Sequence, residues 1–96
     1  MAGYGIINHF EGGSAEQYEK ALAALHPDGD IIASGQTFHA AGPTEDGWVV
    51  IALWDDQASW ERFRDETLRP GLMSTEGTFE SPPSEYAFTI HREERG

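Results

Sequence analysis

Four stretches of the chain have the composition typical of β-strands. They are short, apolar and rich in β-branched or aromatic residues, and they cover residues 4–10, 31–40, 48–54 and 85–91. Gly35 interrupts the second stretch, where we expect a bulge. The third stretch, "WVVIALW", is apolar at every position, which predicts a strand that is buried on both faces.

Apolar residues after the first strand follow the period of a helix instead. Tyr18, Leu22 and Leu25 are spaced i, i+4 and i+7, so they share one helix face. Ser14, followed three residues later by Gln17, has the spacing of a capping box. The helix is therefore predicted to begin at Ser14.

A second amphipathic helix is predicted after the third strand. Asp55 or Asp56 is expected to cap it, and Trp60 and Phe63 lie on its apolar face. We expect "RPG" (69–71) to end or kink this helix, because proline has no backbone N–H and its ring collides with the preceding turn.

The resulting order of elements is β-α-β-β-α-β, which predicts one ferredoxin-like α+β domain over residues 1–96. In that fold a four-stranded antiparallel sheet has the strand order 4-1-3-2, and both helices pack on one face. The other face has no cover within the chain. It carries either the even-numbered residues of the central strand (Trp48, Val50, Ala52, Trp54) or their neighbours. Because a large exposed apolar patch marks an interaction surface, we expect a second copy to cover it in a homodimer.

The charge of the chain excludes some partners. It has 17 acidic and 6 basic residues, for a net charge of -11, so nucleic acid and anionic lipid are not expected to bind. No apolar run reaches the roughly 20 residues of a membrane span, and "MAGYGIINHF" is unlike a signal peptide. We therefore expect a cytoplasmic protein. The absence of cysteine excludes disulfides and thiolate chemistry.

The predicted strand order places candidate chemistry at one end of the sheet. Tyr86, His9, Trp48 and His39 fall there, one on each strand. His9 and His39 would then lie two strand spacings apart, about 10 Å, which is too far for a shared metal ion. No metal site is predicted. Two such polar groups could instead flank a small planar molecule.

His39 is the leading catalytic candidate. If Phe38 faces the helices, His39 points into the space between the two sheets of a dimer, because side chains alternate along a strand. Free imidazole groups titrate close to neutral pH, so His39 would suit proton transfer there. The alternative is a histidine bonded to a backbone carbonyl at the hairpin. Asn8 and His9 compete for the same face, and either would orient a substrate. The Asn8 amide would also suit an oxyanion, and the alternative is a strand-end amide bonded to the backbone.

Four aromatic residues are candidate walls for a flat ligand. They are Trp48, Trp54, Tyr86 and Phe88. The alternative is that they fill the dimer core.

The stretch "GWVVIALWDDQASWERFRDETLRPGL", together with "HFEGGSAEQYE" and "FHAAGP", resembles the dimeric α+β-barrel superfamily. More narrowly, it is similar to small actinobacterial proteins related to antibiotic biosynthesis monooxygenases. The resemblance implies an enzyme that oxygenates an aromatic or polyketide-like molecule without a cofactor. Haem-degrading members carry a ligating histidine after the second helix. Here "RDETLRPGLM" has none, so we expect no haem and no other cofactor.

Two hypotheses follow. In the first, the protein is a homodimeric enzyme in which His39 is the acid or base. In the second, it is a non-catalytic homodimer that binds a metabolite or has a structural role.

Overall fold

A computed structural model describes residues 3–25, 35–74, 77–79 and 83–94 of the chain. These residues form one antiparallel sheet in the order β2-β3-β1-β4, which is the predicted order read from the other edge. The strands are β1 (Tyr4–Glu11), β2 (Gln36–Thr44), β3 (Gly47–Trp54) and β4 (Ser84–Thr89). Residues 31–34, which the sequence assigned to the second strand, lie outside the described residues. The ferredoxin-like α+β fold is confirmed.

Helix α1 (Ala15–Leu25) begins with the predicted capping box. The Ser14 backbone N–H donates to Gln17 Oε1 at 3.0 Å, and the Gln17 N–H donates to Ser14 Oγ at 3.3 Å. Two of the free donors at the helix start are satisfied in this way.

The second helix is longer than predicted. Asp56 caps helix α2 (Gln57–Phe63), because its Oδ1 accepts from the Ser59 N–H at 2.8 Å. The chain then forms a π-helical turn at Arg64–Leu68 and continues as helix α3 (Arg69–Ser74).

"RPG" therefore does not end the helix, and the departure from regular geometry lies just before Pro70. The Arg69 N–H donates to the Arg64 carbonyl, five residues back. A widened turn accommodates a proline that has no N–H of its own.

The core lies between the sheet and the helices. Ile6 and Trp54 have 1% exposed side chains, and Trp54 packs against Trp60 and Phe63 with ring centroids 5.7 and 5.1 Å away. The even-numbered residues of β1 and β3 face the helices. The covered face of β3 therefore carries Trp48, Val50, Ala52 and Trp54. The uncovered face carries the other of the two predicted sets, the odd-numbered residues of β3.

The face of the sheet away from the helices is largely apolar. We call it the open face. By strand alternation and register it carries Ile7, Phe38, Val49, Ile51, Leu53, Tyr86 and Phe88. Tyr86 is 76% exposed, Phe88 43% and Phe38 41%. None of the described helices is long and apolar enough to cross a membrane.

Candidate functional site

A cavity lies between helix α1, helix α2 and the sheet. Its volume is about 70 Å³, and apolar side chains form most of its wall. The polar residues in the wall are Asn8 on β1, Gln36 and His39 on β2, and Tyr18 on α1. We call this space the inner cavity. It brings together two of the predicted catalytic residues, Asn8 and His39, and one predicted aromatic wall, Trp54.

His39 is held by a residue that the sequence did not single out. The hydroxyl of Tyr18 lies 2.5 Å from His39 Nε2, and the Tyr18 ring also packs against Trp48 at 5.2 Å. Burial, and secondly the negative charge of Glu19, raise the pKa of Tyr18 above 10.0. The phenol is therefore protonated at neutral pH, and the direction of its hydrogen bond with His39 Nε2 is set by the tautomer of the imidazole.

Three residues of this wall each have a buried polar atom without a hydrogen-bond partner in the described part of the chain. These atoms are Asn8 Oδ1, Gln36 Oε1 and Trp54 Nε1. The first two are acceptors and the third is a donor. A buried polar atom with no partner costs about 1–3 kcal/mol, so an apolar wall with three of them is suited to a ligand with matching polar groups.

A larger and more open space adjoins the inner cavity, and we call it the cleft. Its volume is about 490 Å³, within the range of small-molecule sites. Asn8, Phe10 and Trp60 line both spaces. Phe10 stacks on Phe79 with ring centroids 3.8 Å apart and an interplanar angle of 13°. Asn8, which is 7% exposed, thus stands at the boundary of the two spaces.

Charged residues line the outer part of the cleft. They are Arg64, Arg69 and Glu85. The Arg64 Nε and Nη2 donate to Asp65 at 2.9 and 3.2 Å. This bonding, followed by the charges of Asp65, Glu61 and Glu85, raises the pKa of Arg64 further, while the same contact lowers the pKa of Asp65. Both groups are therefore ionised at neutral pH.

His9 lies on the open face, so only Asn8 of that pair reaches the inner cavity. His9 Nε2 is 3.0 Å from Asp46 Oδ1 and 3.2 Å from Thr44 Oγ1. The pKa of Asp46 is lowered, mainly by the hydroxyl of Thr44, with a smaller contribution from His9. These contacts fasten β1 to the β2–β3 turn and are separate from the inner cavity.

His39 was predicted to point into a pocket between the two sheets of a dimer. This prediction is wrong. His39 faces the helices and pairs with Ala52, whereas Trp48 pairs with Pro43. His39 therefore lies four residues along β2 from the position that pairs with Trp48, and the two do not share one end of the sheet as predicted. Strand β2 continues to Thr44, beyond the predicted end at residue 40, which leaves His39 in mid-strand.

The four predicted aromatic walls are divided between the faces of the sheet. Trp54 lines the inner cavity, and Trp48 is buried beside Tyr18. Tyr86 and Phe88 lie on the open face by register.

Sequence reasoning missed Tyr18, Gln36 and Arg64. Tyr18 was assigned only to the apolar face of its helix. Its contact with His39 depends on how α1 packs over β2, which the spacing of residues along the chain does not give. Gln36 faces the inner cavity because a register shift lies between it and Phe38. The described residues contain no group of three or more side chains that could hold a metal ion.

No family model and no curated protein matches the chain. Among solved structures, a monooxygenase from the gene ActVA-Orf6 of Streptomyces coelicolor, in complex with the ligand nanaomycin D, is similar. The TM-score is 0.61 at 18% sequence identity, and the match covers 99% of this chain and 92% of that chain. At this identity the similarity establishes a shared fold. The chain therefore shares its ferredoxin-like α+β fold with that monooxygenase.

Proposed function

We propose that the protein is a cofactor-independent monooxygenase that acts on a hydroxylated aromatic or polyketide-like metabolite. The substrate binds in the cleft, with its polar end at the inner cavity. The observation that supports this proposal is a set of buried atoms beside the Tyr18–His39 pair, Asn8 Oδ1, Gln36 Oε1 and Trp54 Nε1, which have no hydrogen-bond partner among the described residues. The shared fold with a monooxygenase supports the choice of reaction.

In the proposed reaction a hydroxyarene and dioxygen give a quinone and water. His39 accepts the proton of a substrate hydroxyl at Nδ1, because in the reactive tautomer its Nε2–H donates to the Tyr18 oxygen. The electron-rich ring then forms a carbon–oxygen bond to dioxygen, and the resulting peroxide takes up the proton from His39. Loss of water from the resulting hydroperoxide leaves the second carbonyl. The substrate supplies all four electrons, so no other reductant is needed.

The other residues of the site bind the substrate and orient it. Asn8 Oδ1 accepts a hydrogen bond from a substrate hydroxyl at the boundary of the cleft. The Nε2–H of His39 donates to the Tyr18 oxygen before and after proton transfer, and this bond stabilises the imidazolium that forms. Because burial raises the pKa of Tyr18, the phenol retains its own proton through this step.

Oxygen uptake tests the proposal. The protein is mixed with a panel of hydroxynaphthalenes and hydroxyanthracenes in the presence of a chelator, and quinone absorbance is followed in parallel. We expect turnover that falls about 100-fold or more in His39→Ala, the usual contribution of a general base. His9→Ala is the matched control, because it removes an imidazole from the open face. Equal turnover in wild type and His39→Ala would exclude His39 as the base.

A second candidate is a non-catalytic homodimer that binds a metabolite. It is favoured by the Tyr18–His39 hydrogen bond, which gives His39 a structural role that needs no reaction. Under this view the panel shows no oxygen uptake, and His39→Ala melts early or loses its dimer. Retained folding together with lost turnover would support the enzyme instead.

Both candidates include the homodimer. The apolar side chains of the open face, with Tyr86, Phe88 and Phe38 all exposed, support its burial against a second copy.

A further inference from the structure

Basic side chains are scarce in this protein, and two of them line the cleft. The chain has 6 basic and 17 acidic residues, yet Arg64 and Arg69 both belong to the cleft wall. The acidic remainder of the surface repels anions. A local pair of guanidinium groups is therefore the feature by which this cleft can distinguish one small molecule from another by charge.

Arg64 is oriented before any ligand arrives. Asp65, the next residue in the π-helical turn, accepts from Nε and Nη2. A guanidinium has five N–H donors in a rigid plane, so three are left for a ligand. Its side chain is 25% exposed, which limits the mobility of the group and leaves it accessible. Asp65 does not itself line the cleft.

Among the described side chains that line the cleft, the formal charges add up to one positive charge. Arg64 and Arg69 contribute two, and Glu85 on β4 removes one. Asp65, outside the wall, bonds to both arginines, because its Oδ1 lies 2.9 Å from Arg64 Nε and 3.5 Å from Arg69 Nη1. Glu85 also contributes to the raised pKa of Arg64, so the two groups interact. A ligand with one negative charge complements this wall, whereas a ligand with several would be repelled by Glu85.

The rest of the cleft wall is largely apolar and favours a flat, apolar molecule. Its residues include Trp60, Leu68, Leu72 and Phe79. The inner cavity, at about 70 Å³, is too small to take an aromatic ring system. The rings must therefore stay in the cleft, between Asn8 and the arginines.

We infer that the cleft selects planar aromatic molecules that carry a single carboxylate, with Arg64 as the main specificity-determining residue. The planar fork of arginine matches a carboxylate better than the point charge of lysine does. The inference rests on the proposed function, because it names the class of substrate for the same site.

Binding of two isosteric probes tests this inference without turnover. 2-Naphthoate and 2-naphthamide are titrated separately, and tryptophan fluorescence reports binding because Trp60 lines the cleft. We expect naphthoate to bind about tenfold more tightly, since a charge-assisted hydrogen bond is about twice as strong as a neutral one. Arg64→Gln should bring the two dissociation constants together by weakening naphthoate alone.

Arg62→Gln is the matched control. It removes the same charge from an exposed position of the same helix and should keep the tenfold preference. Arg64→Lys, which keeps the charge and the fold but loses the planar fork, should show an intermediate preference.

Equal affinity of wild type for both probes would overturn the inference, and so would an equal loss in Arg62→Gln and Arg64→Gln. Either result would leave the proposed reaction standing, because a neutral ligand would still bind. If neither probe binds and the hydroxyarene panel gives no oxygen uptake, the inference and the proposed function both fail.

Discussion

The Tyr18 hydroxyl and His39 Nε2, 2.5 Å apart, connect helix α1 to the edge strand β2. This contact joins residues that are 21 positions apart in the chain. It sets the orientation of the imidazole in the inner cavity, and several expected outcomes depend on it.

Tyr18→Phe should lower the free energy of unfolding by about 1 kcal/mol, the usual net contribution of a partly buried hydrogen bond. Urea unfolding at pH 7 measures this change. Tyr4→Phe is the control, because Tyr4 packs at the edge of the core and its hydroxyl makes no hydrogen bond among the described residues. An equal effect of the two substitutions would mean that the Tyr18 bond adds no stability.

Tyr18 should also make the protein sensitive to alkali. Burial raises its pKa above 10.0, so the unfolded chain loses this proton more readily than the folded one. Stability is then complete below about pH 10 and falls as the pH rises through the raised pKa. Urea unfolding at pH 9 and pH 11 should show a larger fall for wild type than for Tyr18→Phe, in which the other tyrosines titrate unchanged.

Ser14→Ala should cost about 1 kcal/mol of stability, because it removes the acceptor for the Gln17 N–H at the start of α1. Ser14→Gly should cost only a few tenths of a kcal/mol, since glycine leaves the amide accessible to water. Thermal unfolding of both variants checks this order. If alanine and glycine are equally tolerated, the capping box is dispensable.

Gly5 and Phe88 face each other across β1 and β4, and the Phe88 ring lies over the glycine. A methyl group at Gly5 would meet this ring, so Gly5→Ala should destabilise by about 1–3 kcal/mol through overpacking. Phe88→Leu should reduce the penalty in a double-mutant cycle. Gly42→Ala is the control, because its methyl group would meet nothing within 4 Å.

Ile51→Asp should separate the proposed homodimer, because it places a charge on the open face of each copy. Sedimentation should give twice the 10.6 kDa protomer mass for wild type and the protomer mass for the variant. Met73→Asp, at an 87% exposed position, should remain dimeric. A wild-type protein that sediments as a single chain would remove the homodimer from the proposal.

The sequence was sufficient to predict the order of the elements and the cap of α1, and it reduced the cap of α2 to Asp55 or Asp56. Periodicity defined the strands and helices, and Ser14, Gln17 and Asp56 have side chains with a local capping role. Such interactions lie within a few residues of the chain, so they can be read from spacing.

The facing of the strands could not be predicted in the same way. Phe38 was expected under the helices and lies on the open face, while His39 has the opposite placement. Both faces of this sheet are apolar, so hydrophobicity does not distinguish them. The irregularity between Gln36 and Phe38 also breaks the alternation on which a count along β2 relies.

The widened turn at Arg64–Leu68 has a geometric effect on everything that follows it. An α-helix advances by about 100° per residue, so a turn that holds one extra residue rotates α3 by about that angle about the helix axis. Leu72 and Met73, which follow this rotation, line the cleft. Deleting one residue from the turn would therefore place different side chains of α3 in the cleft wall, although the sequence of α3 itself would be unchanged.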